Sequence, residues 1–135
     1  WKRDIQVLLL GGPEEKARNR KILSRFSYPV FDGGCDNGMR HFACMVSRCQ
    51  VVLSGDSLAM HVALAVGSRV VALFGPTSSA EIDLLGRGEK VIPDLDCLVC
   101  YRNSCDLIPN CMDTIDAGTV FEAVRRQLEV FPEGM

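Results

Sequence analysis

Residues 54–61 constrain the fold of this chain more than any other stretch, because a polar turn there joins an apolar strand to an apolar helix. The strand is predicted over residues 50–53 and the helix over residues 58–66. Gly67 follows the helix as its predicted left-handed cap. A strand that leads through a short turn into a helix is the repeating unit of parallel sheets with covering helices.

The polar turn predicts an anion site. Asp56 or Ser57 is the N-cap of the helix, and the amides of the first helical turn have no partner within the helix. These amides and the helix dipole favour an anion such as a phosphate. His61 lies four residues after Ser57, so its ring is expected on the same face, within reach of that anion. The alternative is a capped core helix with one buried, hydrogen-bonded histidine.

The composition excludes two classes of partner. The chain has 135 residues, enough for one domain with a single core, and its 15 basic and 17 acidic side chains nearly balance. This balance predicts no nucleic-acid binding, and no apolar stretch approaches the ~20 residues of a transmembrane segment. The chain begins close to its first strand, so we expect a fragment of a longer protein, cut at a domain boundary.

The cysteine content indicates a reducing compartment. Seven cysteines is an odd number, which argues against a secreted disulfide framework. Three of them, Cys35, Cys44 and Cys49, lie in apolar or helical settings. We therefore expect a cytoplasmic protein.

Strand and helix patterns alternate along the chain. Strands are predicted over residues 5–10, 29–31, 50–53, 69–74 and 89–92, and helices over residues 13–25, 37–48, 58–66 and 117–130. The last helix has a predicted buried face of Val120, Phe121, Val124 and Leu128. Ser78 and Glu81 form a predicted capping box. Apolar strands that alternate with helices predict an α/β fold with a doubly wound, Rossmann-like parallel sheet.

Four turns rich in glycine and proline are predicted at one edge of this sheet. They occupy residues 11–13, 32–34, 55–57 and 75–77, each directly after a strand. Ligands of open parallel sheets bind at the carboxyl ends of the strands, and glycine there lets amides approach a phosphate. The turns favour a nucleotide-type ligand, although glycine also suits the dihedral angles of such turns. Neither a G-x-G-x-x-G pattern nor a P-loop is present.

Three segments, in their order and spacing, resemble glycosyltransferase family 9. They are residues 11–15 (GGPEE), residues 56–65 (DSLAMHVALA) and residues 74–78 (FGPTS). The family includes the ADP-heptose:lipopolysaccharide heptosyltransferases, which have a two-domain GT-B architecture. The resemblance implies that residues 1–135 are the C-terminal half, a domain that binds the nucleotide-sugar donor. It also implies an N-terminal domain that holds the glycan or lipid-linked acceptor.

The resemblance assigns residues of the first two turns to the nucleoside. Glu15 matches the family glutamate that binds the ribose hydroxyls, although an acidic residue also suits the first turn of any helix. Asn37 and Gly38 fall where the family lines its nucleobase pocket. Asn37 is alternatively an N-cap.

The resemblance assigns the third and fourth turns to the diphosphate and sugar. The family segment that contacts the diphosphate and the sugar matches Asp56, Ser57, Leu58 and Ala59 of this chain. His61 matches the family histidine near the phosphates, where it would stabilise charge on the departing nucleoside diphosphate. Thr77 is expected close to the donor sugar. Leu58 departs from the family, which usually has glycine there, so the donor is either bound differently or is another nucleotide-sugar.

The implied reaction is a direct displacement at the anomeric carbon with inversion. An aspartate of the N-terminal domain takes the proton of the attacking hydroxyl, and no metal or other cofactor is expected on the diphosphate. The implied product is lipopolysaccharide core or another surface glycan, made at the cytoplasmic face of the inner membrane. Two other interpretations stay open: a non-catalytic nucleotide- or metal-binding regulatory module, in which Leu58 marks lost catalysis, and a nucleotide-sugar epimerase of the same architecture.

Residues 93–113 form a predicted loop that is rich in cysteine. Its four cysteines are Cys97, Cys100, Cys105 and Cys111. In a cytoplasmic protein this density predicts a tetrathiolate site for zinc or an iron–sulfur cluster. The unequal gaps fit neither a zinc ribbon nor the common ferredoxin pattern, so free thiols beneath the loop are the alternative. The family resemblance supplies no role for this cluster.

Overall fold

The structure, a computed structural model, describes residues 5–130. Its strands are β1 (Val7–Leu9), β2 (Val30–Asp32), β3 (Val51–Gly55), β4 (Arg69–Leu73) and β5 (Gly88–Val91). Its α-helices are α1 (Lys16–Leu23), α2 (Met39–Ser47), α3 (Leu58–Val66) and α4 (Ala117–Glu129), and short 3₁₀ turns lie at Pro13–Glu15 and Ser79–Glu81. All the predicted elements are present, with ends within three residues of the predicted ones. In this part of the chain, no helix has the length and apolarity that crossing a membrane requires.

The strands are parallel and belong to two compact units. Unit 1 comprises the described residues up to 45 and contains the pair β1–β2; unit 2 comprises residues 46–130 and contains β3–β4–β5. Parallel strands that alternate with helices confirm the predicted α/β, Rossmann-like fold. The sequence predicts one continuous sheet, whereas the described strands pair in two. Strand pairing depends on contacts distant in sequence, which hydrophobic periodicity does not encode.

In unit 1 a buried asparagine links α1 to the end of β1. Asn19 is 4% exposed, and its Nδ2 atom lies 3.2 Å from the carbonyl oxygen of Leu10 and 3.5 Å from Sγ of the buried Cys35. A buried amide needs such partners, because an unpaired donor costs roughly 1–3 kcal/mol. Gly11 leaves room for this contact, since a Cβ atom there would lie 2.6 Å from Asn19 Nδ2.

The core of unit 2 is built on β4. Val70, Val71 and Ala72 are completely buried. Val71 forms a buried cluster with Val91 of β5 and Ala123 of α4, and partly buried apolar side chains of β3, β4 and α4 pack around it. Each buried valine contributes roughly 1.5–3 kcal/mol by leaving water. This packing fixes the position of β4, and therefore of the turn that follows it.

The predicted buried face of α4 is partly wrong. Phe121 is 50% exposed, because the buried side of the helix is centred on Ala123 and Gln127. Gln127 Oε1 accepts a hydrogen bond of 2.8 Å from Nε of Arg69, so the buried side of α4 includes a polar residue outside the predicted apolar face.

The predicted cap at the end of α3 forms, whereas the predicted capping box does not. Gly67 ends α3 in the left-handed region with φ +88°, as predicted. The predicted capping box does not form: Ser78 precedes its 3₁₀ turn without a side-chain hydrogen bond to it. Glu81 instead accepts a hydrogen bond of 2.6 Å from the hydroxyl of Tyr101, a residue 20 positions later.

Candidate functional site

The start of α3 has the exposed geometry that an anion site needs. Ser57 is the N-cap, with extended backbone (φ −151°, ψ 172°), and its side chain makes no capping hydrogen bond. The Ser57 hydroxyl instead lies 2.9 Å from the hydroxyl of Ser54. In the described structure Ser57 therefore does not cap the first-turn amides with its side chain. The amide of Met60 donates to the carbonyl of Ser57 at 3.1 Å, which leaves the amides of Leu58 and Ala59 for a ligand.

His61 lies at this helix start and is largely exposed. Its Nε2 atom is 3.9 Å from Oδ1 of Asp56, and its side chain is 57% exposed. The alternative of a buried, hydrogen-bonded core histidine is therefore wrong. Asp56 and His61 lie close together, because Asp56 immediately precedes the N-cap and His61 lies in the first turns of α3.

Leu58 and Ala59 differ in their surroundings. Leu58, the first residue of α3, is 58% exposed, whereas Ala59 is partly buried. A large exposed apolar side chain beside Asp56 and His61 is unusual at a site for a charged group. It gives the helix start an apolar border.

Thr77 follows β4 at the same edge of the sheet as this helix start. Gly55 at the end of β3 pairs with Leu73 at the end of β4, so the turns after both strands leave from one edge. Thr77 is partly buried. Nζ of Lys90 donates to the carbonyl of Ser79 at 2.6 Å and supports the segment after the turn.

Glu15 ends the 3₁₀ turn that lies between β1 and α1, and its carboxylate already has partners. Oε2 accepts the N–H of Gly12 at 2.9 Å, and Oε1 forms an ion pair with Arg18. This geometry favours the alternative in which Glu15 stabilises its own turn. A carboxylate that is 40% exposed still has lone pairs for a ligand hydroxyl.

Asn37 and Gly38 lie directly before α2, in the segment that joins it to β2. The Asn37 Nδ2 atom donates to the carbonyl of Gly33 at 2.7 Å, and Oδ1 of Asp32 accepts the N–H of Gly34 at 2.9 Å. Asn37 is therefore held across the turn after β2 rather than capping α2, which begins at Met39. With Glu15, these residues belong to unit 1, whereas residues 56–61 and Thr77 belong to unit 2.

The four cysteines of residues 93–113 do not form a metal site in this structure. Among residues 5–130, no three histidine, cysteine or acidic side chains come together as a metal ion requires. All four are free thiols; Cys97, Cys100 and Cys105 are exposed, and Cys111 is partly buried. Elsewhere, burial raises the pKa of the Cys49 thiol above its usual value.

Tyr101, which the sequence reasoning missed, lies beside the turn that carries Thr77. Its N–H donates to the carbonyl of Pro76 at 2.8 Å. Its hydrogen bond to the Glu81 carboxylate raises the pKa of the phenol above its usual value. No local pattern indicates these contacts, because the partners are about 20 residues apart in a segment without periodicity.

The family model of glycosyltransferase family 9 (heptosyltransferase) matches residues 1–109. The chain belongs to glycosyltransferase family 9. The match includes all the predicted donor-site residues and three of the four loop cysteines; Cys111 lies beyond it.

A solved member of the same family has a similar fold. It is the glycosyl transferase family 9 protein of Veillonella parvula DSM 2008, with a TM-score of 0.72 and 17% sequence identity over 93% of this chain. The chain spans 37% of the length of that protein. No curated protein matches the chain significantly.

Proposed function

We propose that this chain is the donor-binding half of an inverting glycosyltransferase. The enzyme would transfer a heptose, or a related sugar, from an ADP-heptose-like donor to lipopolysaccharide core or another surface glycan. The match of residues 1–109 to glycosyltransferase family 9 (heptosyltransferase) carries the proposal. The exposed start of α3, where the N-cap Ser57 makes no side-chain capping bond, supports it, because a nucleoside diphosphate is the type of anion that suits such amides.

In unit 2, the proposed ligand groups are the diphosphate and the sugar. The amides after Asp56 and Ser57 hold the diphosphate, with Leu58 and Ala59 beside it. His61 stabilises the negative charge that develops as the bond between the anomeric carbon and the diphosphate oxygen breaks. Thr77 lies near the sugar. These contacts stabilise the leaving group without a metal ion.

In unit 1, the proposed ligand group is the nucleoside. Glu15 accepts hydrogen bonds from the ribose hydroxyls, and Asn37 and Gly38 contact the base. The acceptor and the general base belong to an N-terminal domain, where an aspartate takes the proton of the attacking hydroxyl. An acceptor such as lipopolysaccharide core would place the enzyme in the cytoplasm, peripheral to the inner membrane.

A second candidate is a non-catalytic nucleotide-binding module. The observation that favours it is Leu58, whose large side chain is 58% exposed at the helix start where the family resemblance predicts glycine. A side chain there limits how closely the backbone approaches a diphosphate. Under this interpretation the chain binds a nucleotide in order to regulate a partner protein or to assemble with it.

The two candidates differ in turnover. We expect the 135-residue chain to bind ADP and to show no transferase activity by itself, and the chain joined to its N-terminal domain to release ADP from ADP-heptose when an acceptor is present. ADP release can be followed with a coupled assay. Binding of ADP without turnover by the two-domain protein favours the module. A two-domain protein that binds no ADP at millimolar concentration contradicts both.

A further inference from the structure

The loop that carries the cysteines is attached to the turn that carries Thr77. The N–H of Val99 donates to the carbonyl of Gly75 at 3.1 Å, and that of Tyr101 donates to the carbonyl of Pro76 at 2.8 Å. The backbones of Val99 and Tyr101 are left-handed, with φ +62° and +53°. Residues other than glycine rarely adopt this conformation. Surrounding contacts must hold such conformations in place, and the two bonds to the turn supply contacts of this kind.

The far end of the same loop packs on the same turn. A Cβ atom at Gly75 would lie 2.7 Å from Sγ of Cys111 and 3.1 Å from Sδ of Met112. Glycine is needed at this position because the loop approaches the backbone of the turn so closely. The loop is thus fixed to the turn at two separated places, residues 99–101 and residues 111–112.

Tyr101 holds the turn at two points. Its N–H binds the carbonyl of Pro76, which belongs to the peptide group that joins Pro76 to Thr77, so this bond fixes the orientation of that group. Its hydroxyl donates to Oε1 of Glu81 at 2.6 Å, at the end of the 3₁₀ turn. One residue of the loop therefore holds the segment on both sides of Thr77.

We propose that Tyr101 is a positioning residue for the donor sugar, because its bridge from Pro76 to Glu81 holds Thr77 in the orientation that contacts the sugar. The inference rests on the proposed function, in which Thr77 lies near the sugar. Tyr101 does not touch the donor and acts through the turn. Loss of its hydroxyl loosens the sugar contact and leaves the diphosphate contacts at the start of α3 in place.

The test compares two ligands in titration calorimetry with the two-domain protein. Tyr101→Phe removes the hydroxyl and keeps the ring and the backbone bond. We expect it to weaken binding of ADP-heptose about threefold to tenfold, the effect of one lost hydrogen bond, and binding of ADP by less than about twofold. The matched control is Tyr28→Phe, because Tyr28 is 55% exposed and its hydroxyl bonds the carbonyl of Ile5 at 3.3 Å.

A second pair of variants tests Glu81, the residue that accepts the hydrogen bond of the Tyr101 hydroxyl. Glu81→Gln keeps an acceptor oxygen for Tyr101 and is expected to retain more affinity for ADP-heptose than Glu81→Ala. If Tyr101→Phe lowers Tm while the ratio of the two affinities is unchanged, Tyr101 is only structural and the proposal is wrong. A wild-type protein that binds neither ligand would overturn the proposed function, and the positioning role with it.

Discussion

His61 Nε2 lies 3.9 Å from Asp56 Oδ1 at the start of α3, and the two side chains differ in exposure, 57% for His61 and 23% for Asp56. This distance is too long for a hydrogen bond, so the imidazole is not held by the carboxylate. The histidine therefore keeps its donor and acceptor atoms for a ligand at the helix start.

Replacement of His61 tests its role directly. His61→Ala is expected to weaken ADP binding about tenfold to a hundredfold, the roughly 1.5–3 kcal/mol of one charge-assisted contact. Because the side chain is mostly exposed, Tm should change little. Titration calorimetry and a melting curve measure the two effects. His41→Ala is the control, since His41 is an exposed histidine on α2. Lower Tm with unchanged ADP affinity would assign His61 a structural role.

Glu15 is expected to serve both its turn and the ligand. Glu15→Ala removes the acceptor of the Gly12 N–H, so it should lower Tm and also weaken ADP binding about tenfold or more. Arg18→Ala breaks only the ion pair of Glu15 and should leave ADP affinity unchanged or improve it, because the carboxylate gains freedom. If Glu15→Ala lowers Tm and leaves ADP binding intact, the carboxylate serves the turn alone.

The exposure of the cysteines predicts their reactivity. Cys44, Cys97, Cys100 and Cys105 are exposed and should react faster with a chromogenic disulfide reagent than Cys35, Cys49 and Cys111. Cys49 should be among the slowest, because its raised pKa lowers the thiolate fraction at neutral pH. We expect a chelator to have no effect on these rates. If a chelator exposes further thiols and releases about one zinc or iron per chain, the loop binds metal, and Cys100→Ser should then lower Tm.

Among the glycines that the structure describes, Gly88 is the one at which a side chain should be tolerated least. A Cβ atom there would lie 2.1 Å from the carbonyl oxygen of Val70 on the neighbouring strand, and this backbone oxygen cannot move without breaking the sheet. Gly88→Ala should destabilise the protein by about 1–3 kcal/mol or more, measured by urea unfolding. Gly55→Ala is the control, since its nearest neighbour would be 3.9 Å away. Equal midpoints for the two variants would contradict the strand pairing.

The pairing of Glu89 with Arg126 predicts a pH dependence of stability. Hydrogen bonding from the Arg126 guanidinium lowers the pKa of Glu89 below its usual 4.5. A lowered folded-state pKa means that this stabilisation is present above about pH 4.5 and is lost as the pH falls through the folded-state value. Glu89→Gln should therefore have a lower Tm than wild type at pH 7, and the difference should shrink in acid. A difference that is constant with pH would mean that the charge is not its cause.

Predictability differed between the two parts of the site. The bounds of α3, its end at Gly67 and the nearness of His61 to Asp56 depend on residues within about ten positions of one another, so the sequence predicted them. The bond from Tyr101 to Glu81 and the packing of Cys111 on Gly75 join segments that lie 20 to 36 residues apart. No local pattern encodes such contacts.

By itself, the sequence determined the order of strands and helices, their parallel α/β class and the turn at Asp56 and Ser57. These follow from periodicity, capping and glycine placement, which act over a few residues. Only the tertiary structure decided that the strands pair in two sheets, that Phe121 is exposed, and that Glu81 bonds Tyr101 instead of closing a capping box. Each of these outcomes depends on which distant groups become neighbours, because burial and hydrogen-bond partners are set by packing rather than by the local chain.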